Sequence, residues 1–263
     1  MSEAFARLVA VMSRLRGPEG CPWDREQTLE SLRTYLLEET YETIDAIDRG
    51  DPQALQEELG DLLLEVVFLA QVCAEKGLFG IEEVASGIHD KLVRRHPHVF
   101  GAEKADGARD ALGRWESVKN AERRASGDAR SVLAGVPETL PALLRAFRIA
   151  NKASMVGFDW ESAGEVLEKV EEEVAELRQA IAAKEPRHVA EEVGDLLFAA
   201  ANVARLSGVD PEMALQAANR KFTDRFRIVE EGLARKGLHP SAENRDEMER
   251  LWEEAKAQSR GSR

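Results

Sequence analysis

The amino-acid sequence predicts an all-α protein made of two tandem, duplicated helical bundles. Apolar residues recur at three- and four-residue steps along most of the chain, which is the period of amphipathic helices. No alternating strand-like run flanks an Asn-Gly or Asp-Gly turn. A block of sequence returns 134 positions later, which indicates a duplicated domain because solenoid repeats are much shorter. This periodicity leads us to expect roughly ten helices.

The first clear helical pattern covers residues 29–47, where a single apolar stripe faces the core. Its members are Leu29, Leu32, Leu36, Ile44 and Ile47. Gly50 and Gly77 stand where helices should stop, because glycine accepts the left-handed conformation common at helix ends. Later helices should begin where an acidic residue precedes a proline, since the acid can cap the helix and proline suits its first turn. These pairs are Asp51-Pro52, Glu185-Pro186 and Asp210-Pro211.

The internal repeat divides the chain into two halves. Its corresponding segments are LLEETYE (36–42) with VEEEVAE (170–176), EELGDLL (57–63) with EEVGDLL (191–197), KLVRR (91–95) with KFTDR (221–225), and Trp115 with Trp252. The first two pairs share a shift of 134, and the third has a shift of 130, which implies a four-residue loop deletion. We expect a first domain at residues 1–123, a small and polar linker at 124–138, and a second domain at 139–263.

Composition excludes several classes of function. The chain has 263 residues, 43% of them hydrophobic and 32% charged, which suits packed cores. A formal net charge of −13 argues against binding a nucleic-acid polymer, since that requires a basic face. The apolar run 62–74 is too short to span a bilayer and is interrupted by polar residues such as Glu65. Charges in residues 1–20 leave no secretory signal, and two cysteines cannot form a disulfide framework. We expect a soluble cytoplasmic protein without membrane partners.

Four carboxylates in each half are placed to meet. Glu39 and Glu42 lie three residues apart and therefore share one helix face. Glu58 and Asp61 do the same on the next helix, and the short connection around Gly50 lets the two helices fold back on each other. The second half repeats the arrangement with Glu173, Glu176, Glu192 and Asp195.

Such a group of acids points to a divalent cation. At an effective dielectric of about 20, two charges ~6 Å apart repel by roughly 3 kcal/mol. Mg²⁺, or Mn²⁺ as an alternative, would remove this cost because it prefers oxygen ligands. Gly60 and Gly194 lie between the second-helix acids, where approach of another backbone or a ligand would explain a helical glycine.

The same acids are compatible with three alternatives, namely a di-iron site, a zinc site and a solvated acidic face. A di-iron site needs Glu-x-x-His on its helices, and zinc favours His and Cys ligands. Neither half has such a residue within the motif, and His188 lies outside it. A solvated acidic face is the strongest of the three, and the duplication in register argues against it.

Basic and aromatic residues follow each acidic motif. The basic residues are Lys91, Arg94 and Arg95 in the first half and Lys221 and Arg225 in the second. Their matched positions favour a clamp on phosphate oxygens, although each set alone is also typical of surface cations. Trp115 and Trp252 are candidates for stacking on a base and equally for packing in a core.

Together these motifs resemble the MazG family of nucleoside triphosphate pyrophosphohydrolases in its two-domain form. The resemblance rests on CPWDREQT, LLEETYE, EELGDLLLEVVF, KLVRRHPHVF, VGFDW, EEVGDLLFAAANVAR and KFTDRFR. It implies bundles of the all-α NTP pyrophosphatase type and Mg²⁺-dependent hydrolysis of NTPs, with dNTPs as further candidates. Cleavage between the α and β phosphates would give NMP and pyrophosphate. The resemblance also implies a homodimer, or a higher homo-oligomer, and a second half that is the main catalyst.

The resemblance assigns roles to residues as well. Family metal ligands fall on the four carboxylates of each half. Family nucleotide contacts of the second half fall on Lys169, Glu172, Lys221, Arg225 and Trp252. Glu173 and Asp195 would join them through the cation, and Lys91, Arg95 and Trp115 are the corresponding candidates in the first half.

The expected mechanism is metal-assisted hydrolysis of a phosphoanhydride. Glu172 adjoins a predicted ligand and is the candidate for orienting or deprotonating the attacking water. Lys221 and Arg225 would neutralise charge on the phosphates. A nucleotide-sensing or protein-binding helical scaffold with structural metal sites is the alternative. The absence of a GxxxxGK[ST] motif argues against a P-loop NTPase.

Overall fold

The described part of the chain folds into helices joined by short connections. The computed structural model describes residues 3–125 and 131–261, and these residues form twelve α-helices, one short 3₁₀ turn and no strand. The helices up to residue 125 are α1 (Glu3–Leu15), α2 (Pro22–Glu26), α3 (Leu32–Arg49), α4 (Pro52–Glu75), α5 (Ile81–Arg95), α6 (Pro97–Phe100) and α7 (Ala108–Ala125). The later ones are α8 (Ala142–Ser154), α9 (Ala163–Ala183), α10 (Pro186–Leu206), α11 (Pro211–Ala234) and α12 (Arg245–Gly261), with the 3₁₀ turn at Ala242–Asn244.

The all-α prediction is confirmed, and the expected number of helices was too low. The short helices α2 and α6 each begin at a proline and have four or five residues, so they are too brief to show a hydrophobic period. The first long helix of the acidic motif, α3, starts at Leu32 rather than at Leu29. Of its predicted apolar stripe, Leu32 is fully buried, whereas Ile47 at the other end is exposed.

The chain divides into two compact units, Met1–Ala125 and Ser126–Arg263. The division falls inside the segment 124–138 that we predict as a linker. Residues 126–130 of that segment lie outside the described residues. Its later part is bonded to the second unit, because Lys152 Nζ donates to the carbonyl oxygens of Val132 (3.4 Å) and Ala134 (2.7 Å).

In the first unit, α4 is the central helix and packs against α1, α3 and α5. The buried core comprises Met12, Leu32, Val67, Phe68 and Val72. Arg16 ties the segment after α1 to this helix: its Nη2 lies 2.7 Å from Glu75 Oε2, and its Nη1 donates to backbone oxygens of Asp24 and Gln27. The motif CPWDREQT is therefore held against the end of α4.

In the second unit, α10 packs against α8, α9 and α11, and α11 packs against α8 and α12. Val229, Leu233 and Leu251 form a buried cluster between α11 and α12, with Met248 and Trp252 at its margin. Within the described ranges, no helix is both long enough and apolar enough to cross a membrane.

The predicted helix ends agree with the backbone geometry, and two of the three predicted acidic caps form. Gly50 ends α3 with φ of 64°, and Gly77 follows α4 with φ of 68°, both in the left-handed region. The Asp51 carboxylate accepts from the backbone N–H groups of residues 53 and 54, and that of Asp210 caps α11 in the same way. Glu185 precedes α10 without a side-chain cap.

Candidate metal and nucleotide site

The first acidic cluster lies where α3 packs against α4. Glu39 from α3 and Glu58 and Asp61 from α4 each offer a carboxylate oxygen, and these oxygens all lie within 4.8 Å of one another. The buried hydroxyl of Thr43 donates to the carbonyl oxygen of Glu39 at 2.7 Å and lies 3.5 Å from that of Glu58. The two helices are thus in close contact at the level of the acids.

The carboxylates of this first cluster repel one another. Desolvation raises the pKa of Glu39, and the nearby charges of Asp61 and Glu42 raise it further. Desolvation also raises the pKa of Glu58, with Glu42 as its strongest repulsive neighbour. Among the described residues, no Lys, Arg or His nitrogen lies within 4.0 Å of these carboxylates. Within the described part of the chain, no cation therefore contacts the cluster to balance its charge.

The second acidic cluster lies between α9 and α10. Glu173 and Glu176 from α9 and Glu192 from α10 also bring carboxylate oxygens within 4.8 Å of one another. Glu173 and Glu192 are buried. One oxygen of Glu192, Oε2, is enclosed and has no hydrogen-bond partner among the described residues. A buried carboxylate oxygen without a donor is costly, and a cation would satisfy it.

Basic side chains already contact the second cluster. Lys169 Nζ lies 2.7 Å from Glu173 Oε1 and 3.0 Å from Glu172 Oε1. These hydrogen bonds, chiefly the one to Glu173, raise the pKa of Lys169 above its usual range. His188 Nε2 lies 2.8 Å from Glu192 Oε1. The charge of Glu173 is therefore partly compensated by Lys169, and one oxygen of Glu192 has His188 as its partner.

The donor set of both clusters suits a hard divalent cation. All of the donors brought together are carboxylate oxygens, which are the ligands that Mg²⁺ and Mn²⁺ accept most readily. Among the described residues, neither group contains cysteine or histidine as a member. The residues present thus fit the predicted cation better than zinc.

The structure brings together three of the four predicted ligands in each half. Glu42 is exposed and outside the close group of the first cluster, although its charge acts on Glu39 and Glu58. Asp195 is exposed and outside the close group of the second cluster. Gly60 and Gly194 face open space, because a Cβ atom on either would meet none of the described atoms within 4 Å. Backbone packing therefore does not account for these two glycines, whereas space for a ligand is consistent with them.

The basic residues predicted in the first half lie close to an acidic partner and a tryptophan. Glu122 on α7 accepts from Arg94 Nε at 2.5 Å and from Arg95 Nη2 at 2.7 Å, which lowers the pKa of Glu122. The Arg95 guanidinium also lies 5.4 Å from the ring centroid of Trp115. Lys91 is exposed on α5. The structure thus joins Arg95 with Trp115, and both arginines already hold an anion.

In the second half, Lys221 and Arg225 both lie on α11, which packs against α10. Lys221 is exposed and Arg225 is half-buried. Trp252 on α12 contacts Phe222 with 5.0 Å between ring centroids, and it borders the cluster of Val229 and its neighbours. Trp252 therefore packs partly in a core, while its role toward a base stays a prediction.

The sequence predicts no role at the site for two residues that the structure places at the clusters, His188 and Glu65. His188 does not form Glu-x-x-His, yet residues four apart on a helix share a face, which places it beside Glu192. Glu65 interrupts an apolar run in the sequence, whereas in the structure it is 6% exposed and lies one turn beyond Asp61. The signal for both is helical spacing from a predicted ligand.

Comparison with known proteins identifies the family. The model of the MazG nucleotide pyrophosphohydrolase domain matches residues 27–100 and 161–229. The chain is 47% identical to a nucleoside triphosphate pyrophosphohydrolase of Escherichia coli (strain K12) over 96% of this chain and 97% of that protein. It is 46% identical to a nucleoside triphosphate pyrophosphohydrolase/pyrophosphatase MazG of Thermotoga maritima over 96% and 95% of the two chains. Both matched segments contain one of the acidic clusters, and the chain belongs to the MazG nucleotide pyrophosphohydrolase family of enzymes.

Proposed function

We propose that this enzyme hydrolyses nucleoside triphosphates between the α and β phosphates, giving NMP and pyrophosphate, with Mg²⁺ held by the second cluster. The observation that carries the proposal is the convergence of Glu173, Glu176 and Glu192 within 4.8 Å in a member of this family. The unpartnered Oε2 of Glu192 supports it, because that atom lacks the ligand that its burial demands. The names of the Escherichia coli and Thermotoga maritima relatives agree with this activity.

In the second unit, one set of residues would bind the cation and the phosphates, and another would take part in proton transfer. Glu173, Glu176 and Glu192 would hold the cation, joined by Asp195 one turn further along α10. When bound, Mg²⁺ supplies a Lewis acid that stabilises negative charge on phosphate oxygens. Lys169 orients Glu173 and adds a positive charge at the edge of the cluster, where it can meet a phosphate.

Proton transfer and charge neutralisation fall to other side chains. Glu172 is exposed, has an oxygen 3.0 Å from Lys169 Nζ, and stands beside the ligand Glu173, so it can accept a proton from an attacking water. Lys221 and Arg225 on the neighbouring helix α11 would neutralise charge on the leaving pyrophosphate.

Product analysis tests the reaction directly. Purified full-length protein is incubated with ATP and Mg²⁺, and nucleotides are separated by ion-exchange chromatography while pyrophosphate and phosphate are assayed separately. We expect AMP and pyrophosphate in equal amounts, and no turnover in excess EDTA. ADP with phosphate would contradict the cleavage position. Metal-dependent ATP binding without turnover would favour the alternative of a nucleotide-sensing or protein-binding scaffold.

The proposal includes a homo-oligomer, since the acidic helices carry exposed apolar residues at corresponding positions. Leu59 and Leu63 on α4 correspond to Val193 and Leu197 on α10, and all four are at least 40% exposed. Apolar side chains aligned along one helix favour burial against another surface. Light scattering after size exclusion should give at least twice the 29.2 kDa chain mass, whereas a monomer would contradict this part.

The remaining assignments concern substrates and location. We propose that dNTPs are accepted together with NTPs, and that Mn²⁺ replaces Mg²⁺. Hydrolysis rates for a panel of NTPs and dNTPs at equal concentration test the substrate range. Rates with Mn²⁺ in place of Mg²⁺ test the choice of metal. We also propose a cytoplasmic location, with Cys21 and Cys73 kept as the free thiols that they are in the structure.

A further inference from the structure

Glu65 is a buried acid that the proposed reaction does not use. It lies on α4, is 6% exposed, and its Oε2 atom is enclosed without a hydrogen-bond partner among the described residues. A carboxyl group in such a position costs free energy unless it meets a donor, a proton or a cation. The fold does not require a carboxyl group at this buried position, because the corresponding residue in the second half is Ala199, which is also buried.

Helix geometry directs Glu65 toward the first acidic cluster. Glu58, Asp61 and Glu65 follow one another at steps of three and four residues, and they therefore share one face of α4. The electrostatic neighbours of Glu65 are members of the cluster: Glu39 and Asp61 both raise its pKa, after the larger effect of desolvation. Glu65 thus extends the cluster inward, toward the apolar core.

The two clusters differ in the charge that their own unit provides. The second cluster has Lys169 on Glu173 and His188 on Glu192. The corresponding positions in the first half are Tyr35 and Ala54, which offer no cation. A metal ion entering the second cluster must compete with these side chains. The first cluster has three converging acids, with Glu42 and Glu65 nearby, and no such competitor among the described residues.

We propose that Glu65 is an additional oxygen donor of the first cluster, and that this unit binds a divalent cation more tightly than the second unit before any nucleotide arrives. The first cluster is then filled by the cation alone. The second becomes competitive once nucleotide phosphates draw Lys169 away from Glu173 and add oxygen ligands of their own. This inference takes from the proposed function only the assumption that the cation is a hard divalent metal ion such as Mg²⁺ or Mn²⁺.

Manganese titration without nucleotide tests this assignment. Metal-free full-length protein is titrated with Mn²⁺, and free Mn²⁺ is measured by electron paramagnetic resonance. We expect a tighter and a weaker class of sites. Glu65→Gln keeps the shape of the side chain and removes the charged donor, so it should weaken the tighter class at least tenfold. The matched control is Glu57→Gln, which removes the same charge from an exposed position of α4 and should leave the tighter class within twofold.

Two further variants show which unit holds the tighter class of Mn²⁺ sites and which holds the weaker class. Glu192→Gln should remove the weaker class and spare the tighter one, and Glu58→Gln should do the reverse. Should Glu65→Gln fail to fold, Glu65→Asp, which keeps the charge but withdraws it by one methylene, should weaken the tighter class in its place. A tighter class that is unchanged when Glu65 is replaced, or that disappears with Glu192→Gln, overturns the proposal. Because no nucleotide is present, the titration can succeed even where ATP hydrolysis fails, so the two proposals fail separately.

Discussion

At the scale of single residues, the two clusters show how one set of acids is tuned by its neighbours. Corresponding carboxylates have different neighbours because Lys169 and His188 occur in one half, and Tyr35 and Ala54 in the other; Lys169 adds a positive charge. The mutual repulsion in the first cluster is visible in the raised pKa of Glu39, to which burial contributes most. Both halves carry the acids, and the proposed difference in metal affinity follows from the side chains around them.

Replacing Lys169 should separate metal binding from nucleotide binding. In Lys169→Met the ammonium no longer competes at Glu173, so Mn²⁺ affinity of the weaker class should rise about three- to tenfold without nucleotide. The KM for ATP should rise, since a positive charge beside the phosphates is lost. Manganese titration and steady-state kinetics check both effects. Lys236→Met, which removes a lysine paired with Glu247, is the control and should change neither value.

An ion pair between the buried side chain of Arg205 and the more exposed Asp159 in the second unit makes a pH-dependent contribution to stability. Arg205 donates to both carboxylate oxygens of Asp159, and its side chain is 6% exposed. These hydrogen bonds hold the pKa of Asp159 below its usual 3.8. An acid with a lowered pKa stabilises the fold above its unfolded pKa and loses this effect as the pH falls through its folded pKa.

We therefore expect Asp159→Asn to lower the free energy of unfolding by about 2 kcal/mol at neutral pH. The difference from the wild type should stay constant between pH 8 and 5 and shrink below pH 3.8. Urea unfolding at several pH values measures it. A difference that grows toward acid pH would contradict the assignment.

At the scale of helices, the connection between the two acid-bearing helices differs between the halves. Gly50 ends α3 in the left-handed conformation, and the corresponding residue after α9 is Lys184, with φ of 58°. A side chain in this conformation carries a steric cost that glycine avoids. Lys184→Gly should raise the free energy of unfolding by about 1 kcal/mol, and Gly50→Lys should lower it by about the same amount. Urea unfolding followed by circular dichroism measures both, and equal stability of all three proteins would contradict this prediction.

The caps of α10 and α11 provide a second matched comparison. Asp210 accepts from the backbone N–H groups of Glu212 and Met213, at 2.9 and 3.1 Å. Glu185, in the same place before α10, instead reaches His188 Nδ1 at 3.5 Å. Asp210→Ala should therefore cost about 1 kcal/mol of stability. Glu185→Ala should cost less than about 0.5 kcal/mol, since it removes only an exposed ion pair. A larger loss for Glu185→Ala in urea unfolding would show that the cap assignment is wrong.

Helix ends and acidic motifs could be predicted from sequence because their causes are local. A glycine at a helix end and an aspartate before a proline act through backbone atoms within a few residues. The convergence of Glu39 with Glu58 followed from spacing on two consecutive helices. The short helix α2 could not be predicted because five residues do not show a period.

Contacts that depend on helix rotation and packing could not be predicted in the same way. The shared partner of Arg94 and Arg95, Glu122, comes from a helix 27 residues further along the chain, and no local pattern marks it. The burial of Glu65 depends on which face of α4 turns toward the core. The position of His188 beside Glu192, in contrast, follows from a local cause, because the two residues are four apart on one helix.

At the scale of the whole molecule, the chain has two related units whose acidic clusters are surrounded by different side chains. The first has three converging acids without a contacting cation among the described residues. In the second, Lys169 and His188 contact the acids, and helix α11 carries Lys221 and Arg225. Together with membership of the MazG family, this arrangement favours turnover in the second unit and resting metal binding in the first.

The turnover of two matched variants tests this division of roles most directly. Glu192→Gln and Glu58→Gln each replace one acid at corresponding positions of the two clusters, and kcat for ATP hydrolysis is measured with saturating Mg²⁺. We predict that Glu192→Gln lowers kcat at least about 100-fold because a ligand of the catalytic cation is lost, while Glu58→Gln retains turnover. Full activity of Glu192→Gln together with loss of activity in Glu58→Gln would contradict this division of roles, because catalysis would then reside in the first unit.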